Sequence, residues 1–252
     1  MSVAGRHALV TGGGTGVGAA LARAFAEAGA RVSVVGRRAE PLEALAAEHE
    51  AIVAVPGDVT DDASIAAFVA GAEAAHGPVD VALLNAGVAE SAPFLKTSRE
   101  HFERHLAVNL TGAFLPAQAL ARGMVERGFG RLIFVASTAG LVGYPYVAAY
   151  CAAKHGVVGL AKALGKELAG AGVTANALCP GYVETPMLAR TLANIVATTG
   201  RDEAAARKAL LRQTPLGRFT APEEVATAAL YLASEAAAAV TGTTLSLSGG
   251  EV

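Results

Sequence analysis

The sequence contains no tryptophan, and aromatic residues make up only 5% of its 252 positions. Charged residues are also scarce, at 17%, and the formal net charge is −2 with no basic tract. A chain without a basic patch lacks the charge that nucleic acid requires, so we expect no such partner. The two cysteines, Cys151 and Cys179, are too few for a disulfide framework, which argues against a small secreted scaffold.

Signals for secretion or membrane insertion are weak. Glycines break the N-terminal apolar stretch, and no cleavage site follows it, so we expect no leader peptide. Residues 132–153 are uncharged and long enough to span a bilayer, yet Ser137, Gly143 and Pro145 interrupt them. We interpret this segment as a strand, a loop and a helix start. We therefore expect a cytoplasmic protein without a membrane partner.

Apolar stretches rich in β-branched residues alternate with helical patterns along the chain. The predicted strands cover residues 7–11, 31–35, 52–56, 79–84, 132–136, 174–178 and 244–248. The predicted helices cover residues 18–28, 40–50, 61–76, 99–127, 149–169 and 223–232. Most strands lack a polar face, which is typical of a parallel sheet covered on both sides. We expect an α/β fold, a Rossmann-like doubly wound parallel sheet of about seven strands with helices on both faces.

One segment does not fit this alternation. Residues 187–217 carry two helical patterns and interrupt the order of the sheet. Long insertions near a site are often lids, so we expect a helical lid here. The length of 252 residues favours one large α/β domain over two small ones. We therefore expect a single domain over residues 1–252.

A glycine-rich turn with the spacing TGxxxGxG joins the first strand to the first helix. Glycines let backbone amides approach a pyrophosphate, and a helix N-terminus adds favourable partial charge. A turn without a ligand is the less favoured interpretation, because a strand precedes the turn and a helix follows it. The residues predicted to bind a dinucleotide here are Gly12, Thr15, Gly16, Val17 and Gly18.

No acidic residue follows the second strand, where a carboxylate would bind the ribose hydroxyls of adenosine. Arg37 and Arg38 stand there instead, and two guanidinium groups suit a 2′-phosphate. A solvated basic loop is the alternative interpretation. We favour NADP(H) as the cofactor, with NAD(H) as the alternative.

Further candidates for dinucleotide binding follow the third and fourth strands. Asp58 and Val59 stand where an adenine edge would lie, and Asn85, Ala86 and Gly87 suit a backbone held close to a cofactor. Asn and Gly are ordinary turn formers, so either segment alone is a weak indication.

Tyr150 and Lys154 are four residues apart at the start of a predicted helix, so they share one helix face. A nearby ammonium favours the phenolate, and a tyrosine tuned in this way can exchange a proton with an alcohol or ketone oxygen. Ser137 ends the fifth strand, and its hydroxyl could bind the oxygen on which negative charge develops. This combination predicts hydride transfer between a nicotinamide dinucleotide and a carbonyl or alcohol.

With these motifs in place, the chain resembles the short-chain dehydrogenase/reductase family over essentially its whole length. The resemblance implies a catalytic tetrad of Asn109, Ser137, Tyr150 and Lys154, in which Lys154 also binds the nicotinamide ribose and Asn109 holds a water of a proton relay. It also implies that the segment after the sixth strand cradles the nicotinamide carboxamide. That segment contributes Pro180, Gly181, Val183 and Thr185.

Residues after the fifth and sixth strands are expected to line the substrate pocket. The candidates are Ser137, Ala139, Tyr144, Tyr150, Tyr182, Met187 and Leu188, together with the apolar Leu141 and Val142. This mostly apolar set favours an acyl, alicyclic or aromatic ketone over a sugar. No spacing of histidine, cysteine or acidic residues suggests a metal site.

Within the family, residues 150–168 and 176–187 resemble ketoreductases that act on 3-oxoacyl thioesters or polyketides. The leading hypothesis is a 3-oxoacyl-thioester reductase or 3-hydroxyacyl-CoA dehydrogenase. A dehydrogenase of free aromatic or alicyclic secondary alcohols is the second, and a non-catalytic dinucleotide sensor is a third of another class. The family commonly forms tetramers, and small residues from Ala149 to Gly159 would let helices approach closely, so we expect a homotetramer.

Overall fold

A computed structural model describes residues 2–252 of the chain. Seven parallel strands form one sheet in the order β3-β2-β1-β4-β5-β6-β7. The strands are β1 (His7–Thr11), β2 (Arg31–Gly36), β3 (Ile52–Pro56), β4 (Val81–Leu84), β5 (Gly130–Val135), β6 (Val173–Pro180) and β7 (Thr244–Leu247). This confirms the doubly wound parallel sheet. The order reverses between β1 and β4, and the crevice at such a switch point is where ligands bind in folds of this kind.

Helices cover both faces of the sheet. They are α1 (Gly16–Glu27), α2 (Ala39–Ala46), α3 (Asp62–His76), α4 (Arg99–Leu106), α5 (Gly112–Arg127), α6 (Ala148–Glu167), α7 (Pro186–Thr199), α8 (Glu203–Leu211) and α9 (Pro222–Ala233). None of the helices between residues 2 and 252 is both long and apolar enough to cross a membrane.

Two apolar layers sandwich the sheet, which explains why the strands lack a polar face. In β1, Ala8 and Val10 pack under α1, α2 and α9, whereas Leu9 points to the opposite layer under α3, α5 and α6. Successive side chains of a strand alternate between faces, so a strand buried on both sides reads as a continuous apolar run. The abundant alanines and valines fill both layers.

The sequence predicts one helix over residues 99–127, and the structure corrects this. A π-helical segment, Ala107–Thr111, separates α4 from α5 and carries Asn109. A π-helical turn widens the helix by one residue and is frequent at functional sites. The apolar periodicity continues through the segment, which is why the sequence does not reveal it.

The predicted lid forms the two helices α7 and α8. Leu188 and Leu192 of α7 pack with Ala206 and Phe219 into a small apolar core of their own. Backbone hydrogen bonds join the two ends of the lid, because Thr220 N donates to Tyr182 O and Glu184 N donates to Thr220 O. The two ends of the lid are therefore held together close to the end of β6.

Candidate active site

The glycine-rich turn leaves β1 at the switch point and has a backbone that only glycine permits. Gly12 and Gly16 have φ values of 65° and 56°, in the left-handed region. A Cβ on Gly18 would lie 2.1 Å from Gly12 O, closer than any side chain can approach. Thr15 stands at the N-cap of α1 but makes no side-chain capping bond, so the first amides of α1 keep no side-chain partner there.

The segment after β4 is braced against this turn. The Thr11 hydroxyl accepts hydrogen bonds from Asn85 N at 3.0 Å and Ala86 N at 3.1 Å. The Asn85 amide donates to the backbone oxygens of Thr11 and Gly12, at 3.0 and 3.2 Å. Asn85 therefore holds the two strand ends together, and the predicted site residues of β1 and β4 do meet.

Residues predicted to surround adenosine lie after β2 and β3. The Asp58 carboxylate accepts from Thr60 N at 2.9 Å and Thr60 Oγ1 at 2.7 Å, and the Thr60 backbone bond is the main cause of its lowered pKa. Val59 is buried, and its methyl would lie 2.6 Å from a Cβ on Gly112. Arg37 and Arg38 are exposed and enter none of the ion pairs found within residues 2–252.

The segment after β6 closes over the glycine-rich turn. Thr185 caps α7, where its hydroxyl accepts from Leu188 N at 3.4 Å, and its methyl would lie 3.2 Å from a Cβ on Gly16. Val183 pairs with Thr220 in an isolated parallel bridge. A bulkier residue at Gly16 would close the space between the turn and this segment, whereas one at Gly18 would collide with Gly12 and Asn85. The residues present therefore fit a dinucleotide held at the N-terminus of α1.

Lys154 and Tyr150 lie in the first turns of α6, against the end of β5. The Lys154 side chain is 4% exposed, and its Nζ donates to Val135 O at 2.8 Å. The same Nζ lies 5.7 Å from the centroid of the Tyr150 ring. Ser137 lies two residues beyond the end of β5, and its Oγ accepts from Ala139 N at 3.1 Å. Ser137, Tyr150 and Lys154, which are separated in the sequence, thus meet at the carboxyl end of β5.

The pKa values of Tyr150 and Lys154 correct one expectation from the sequence. Burial raises the pKa of Tyr150 to about 12, while the neighbouring Ser137 hydroxyl acts in the opposite direction. Burial also lowers the pKa of Lys154 to about 8. The sequence predicts that the ammonium lowers the phenol pKa, but the ammonium is turned to Val135 O, so desolvation decides the direction for Tyr150.

Asn109 is buried in the π-helical segment, and both the oxygen and the nitrogen of its side-chain amide form hydrogen bonds. Its Oδ1 accepts from Val88 N at 3.1 Å, and its Nδ2 donates to Val88 O and His105 O, both at 3.0 Å. A Cβ on Gly87 would lie 2.7 Å from Asn109 Oδ1 and 3.7 Å from Lys154 Nζ. Asn109 and Lys154 therefore border the same glycine, although their side chains make no direct bond.

The residues expected in the substrate pocket divide into two groups. Tyr144, Tyr182 and Met187 are partly exposed beside the site, whereas Ala139 is buried and Leu188 belongs to the small core of the lid. The Tyr144 hydroxyl donates to Glu251 Oε1 at 2.6 Å and lies 2.9 Å from Thr138 Oγ1. Sequence reasoning missed Glu251, because it follows the last strand and belongs to no motif.

Both cysteines are free and buried, and no group of three or more potential metal ligands occurs between residues 2 and 252. Burial raises the pKa of the Cys179 thiol to about 11, so it is a neutral group at neutral pH. This supports a packing role for Cys179 rather than a nucleophilic one.

Comparison with known proteins identifies the class of this molecule. The family model described as short chain dehydrogenase matches residues 6–195, and the chain belongs to this family. It is therefore an NAD(P)-dependent oxidoreductase that acts on CH–OH groups, as the dehydrogenases and reductases among its relatives do.

Similar curated proteins carry diverse names. The chain is 42% identical to a putative ketoacyl reductase of Streptomyces coelicolor, over 96% of this chain and 95% of the relative. It is 39% identical to a D-threitol dehydrogenase of Mycolicibacterium smegmatis, over 98% and 92%. It is 43% identical to a protein of Xanthobacter autotrophicus named inactive 2-(S)-hydroxypropyl-CoM dehydrogenase 2, over 91% and 98%.

Solved structures support the same class. The fold matches a variant of actinorhodin polyketide ketoreductase with NADPH at a TM-score of 0.94 and 39% identity, covering 100% of this chain and 99% of that one. It also matches a 3-ketoacyl-(acyl-carrier-protein) reductase of Brucella melitensis with NADH at 0.90 and 34%, covering 99% of each chain. The ketoreductase resemblance is thus confirmed, and both dinucleotides occur among the neighbours.

Proposed function

We propose that the protein interconverts a 3-oxoacyl thioester and the corresponding 3-hydroxyacyl thioester. The observation that carries this proposal is the meeting of Ser137, Tyr150 and Lys154 at the sheet edge, beside a glycine-rich turn that fits a dinucleotide. The named ketoacyl reductase and polyketide ketoreductase among its relatives support the thioester as the substrate.

Proton transfer falls to Tyr150 in this proposal. In reduction its phenol donates a proton to the carbonyl oxygen, and in oxidation its phenolate accepts one from the alcohol. Ser137 donates a hydrogen bond to the same oxygen, where negative charge develops. The nicotinamide, when bound, supplies or accepts the hydride.

Lys154 and Asn109 support this proton transfer. In a loaded site Lys154 would bind the nicotinamide ribose through its donors, and its ammonium would favour the phenolate when it turns from Val135 O toward the phenol. Asn109 positions the segment around Val88 and holds a water that links Lys154 to solvent. Its bonds to Val88 leave Oδ1 beside Gly87, the glycine that Lys154 Nζ also borders, which supports this relay.

The dinucleotide would lie along the carboxyl edge of β1, β2 and β4. The phosphates would meet the turn at Gly12, Thr15, Gly16, Val17 and Gly18, and the adenosine would meet Asp58 and Val59. Asn85, Ala86 and Gly87 would hold the middle of the cofactor. Pro180, Gly181, Val183 and Thr185 would hold the nicotinamide carboxamide.

NADP(H) is favoured over NAD(H) in this proposal. Arg37 and Arg38 are exposed after β2 without carboxylate partners, so their guanidinium groups are available to a 2′-phosphate. Arg37 also lies near enough to Asp58 to contribute to the lowered pKa of that carboxyl.

The substrate would lie between the ends of β5 and β6. The candidate residues that are partly exposed there are Ser137, Tyr144, Tyr150, Tyr182 and Met187. Ala139 and Leu188 would contribute mainly through backbone and support, since both are buried.

A dehydrogenase of free secondary alcohols is the second candidate, and the D-threitol dehydrogenase relative favours it. A non-catalytic dinucleotide sensor is the third candidate. The relative named inactive 2-(S)-hydroxypropyl-CoM dehydrogenase 2 is the reason to test it. The retained Ser137, Tyr150 and Lys154 argue against the sensor, because a sensor does not need them.

A substrate panel tests the proposal. The purified protein is given acetoacetyl-CoA, a simple aryl ketone and a tetritol, each with either dinucleotide, while absorbance of the reduced nicotinamide is followed. We expect the highest kcat/KM with the thioester and NADPH. A higher value with the aryl ketone or the tetritol would support the second candidate, and turnover of none would support the sensor.

For the assembly, we propose a cytoplasmic homotetramer of single-domain subunits, built through α5 and α6. Of the five alanines and glycines from Ala149 to Gly159, three pack within the chain itself, because Ala149 and Ala153 are buried and Gly156 faces Leu110. Ala152 and Gly159 remain exposed on one face for a partner helix. Sedimentation of a stable monomer would contradict the tetramer.

A further inference from the structure

The residues that follow β7 fold back against the end of β6 and fix Glu251 in place. The hydroxyls of Ser246 and Ser248 both donate to Val252 O at 3.2 Å, and Glu251 Oε1 accepts from the Tyr144 hydroxyl at 2.6 Å. A Cβ on Gly181 would lie 3.4 Å from Glu251 Oε2. The carboxylate is thus held between the strand ends that border the substrate site.

The charge of this carboxylate is poorly compensated. Glu251 Oε2 is buried and has no hydrogen-bond partner within residues 2–252. Glu251 is also absent from the ion pairs of this part of the chain. Its described side-chain partner is one neutral phenol, so this half-buried carboxylate has no cation beside it to offset its charge.

The raised pKa values of the neighbouring Tyr144 and Tyr182 phenols reflect this charge. Burial is the main cause of the raised pKa of Tyr144, and the hydrogen bond of Tyr144 to Glu251 raises this pKa further. Burial likewise raises the pKa of Tyr182, and the Glu251 charge adds to the effect. Tyr182 also contributes to the raised pKa of Tyr150, so Tyr182 lies close to both the carboxylate and the reacting phenol.

We propose that Glu251 is a specificity-determining residue that disfavours substrates with a negative charge beside the reacting carbonyl. The site would then accept a neutral thioester, ester or amide and discriminate against the free 3-oxo acid, because like charges in a partly buried site repel. This inference rests on the proposed function and names the charge state of the substrate class.

A purely structural role for Glu251 would be to tie the tail of the chain to Tyr144. Two variants separate that role from the charge. In Glu251→Gln the side-chain carbonyl oxygen still accepts from Tyr144, while the charge is removed. In Tyr144→Phe the hydrogen bond is lost, while the charge stays.

The measurement uses acetoacetate and its neutral isostere acetoacetamide, with methyl acetoacetate as a neutral substrate that has no N–H donor. We expect the ratio of kcat/KM for acetoacetate to that for each neutral substrate to rise about tenfold or more in Glu251→Gln. The ratio should not rise in Tyr144→Phe. An unchanged ratio in Glu251→Gln, or an equal rise in both variants, would overturn the inference.

The proposed function can fail separately. If the enzyme turns over neither these substrates nor acetoacetyl-CoA, the ketoreductase proposal is overturned. The charge filter is then decided by calorimetric Kd values of acetoacetate and acetoacetamide for the protein with NADP⁺ bound. A Kd ratio that changes in Glu251→Gln supports the filter, whereas an unchanged ratio or no binding of either compound overturns it.

Discussion

The Lys154 ammonium donates a hydrogen bond to the carbonyl oxygen of Val135 at 2.8 Å, which ties the first turns of α6 to the end of β5. Ser137 lies two residues beyond this carbonyl, and Tyr150 lies one helical turn before Lys154. This contact therefore helps to hold near each other the hydroxyl and the phenol that we propose to act on the same substrate oxygen.

Replacing Tyr150 with phenylalanine should remove the proton donor while preserving the ring. We expect kcat to fall by a factor of about 10² to 10⁴, which is the usual contribution of a positioned acid or base. Titration of reduced nicotinamide fluorescence should still detect binding, because the glycine-rich turn and Lys154 are intact. A variant that keeps most of its activity would exclude Tyr150 as the proton donor.

The pH profile of the enzyme should reflect Tyr150 and Lys154 as a pair. With the pKa of Lys154 at about 8 and that of Tyr150 at about 12, the pair loses its first proton near pH 8. A neutral amine beside a phenol and an ammonium beside a phenolate hold the same number of protons, and only the phenolate can accept one from an alcohol. Oxidation should therefore rise, and reduction fall, as pH increases through about 8.

The measurement for this pair is kcat/KM in both directions between about pH 6 and about pH 10, with saturating dinucleotide, because kcat/KM reports the groups before substrate binds. Parallel pH dependence in the two directions would contradict the assignment, since the proton moves oppositely in each.

Replacing Arg37 with aspartate should weaken NADP(H) selectively. The change removes a donor for the 2′-phosphate and adds a repelling charge, so we expect Kd for NADPH to increase at least about tenfold more than Kd for NADH. Lys166→Asp makes the same change of charge at the far end of α6 and serves as the control. An equal increase in Kd for both dinucleotides in Arg37→Asp would show that Arg37 does not recognise the 2′-phosphate.

Replacing Gly18 with alanine should damage both stability and dinucleotide binding. The new Cβ would lie 2.1 Å from the backbone oxygen of Gly12, and backbone cannot move aside cheaply. We expect a loss of roughly 1–3 kcal/mol in the free energy of unfolding, together with weaker binding of the reduced dinucleotide. Urea unfolding and fluorescence titration measure the two effects.

Gly170→Ala is the matched control for this change, because a Cβ at Gly170 would meet no atom within 4 Å. It should unfold within about 0.5 kcal/mol of the parent protein, as surface substitutions usually do. If Gly18→Ala were equally harmless, the close approach at the turn would not constrain this position.

Sequence alone determines the order of the strands and of most helices, because apolar runs buried on both faces and helical spacing are local patterns. It also determines the position of the glycine-rich turn, since TGxxxGxG requires backbone freedom at fixed offsets. Tyr150 and Lys154 are visible for the same reason, as a spacing of four places them on one helix face.

The tertiary structure decides what local spacing cannot express. The π-helical segment at Asn109 depends on its bonds to Val88, which is 21 residues away, and nothing in the apolar pattern marks it. The pKa of Tyr150 depends on how deeply the folded chain buries the phenol and on which acceptor Lys154 takes, so the ammonium alone did not predict its direction. Glu251 meets Tyr144 across 107 positions, and only the return of the chain after β7 brings that charge to the site.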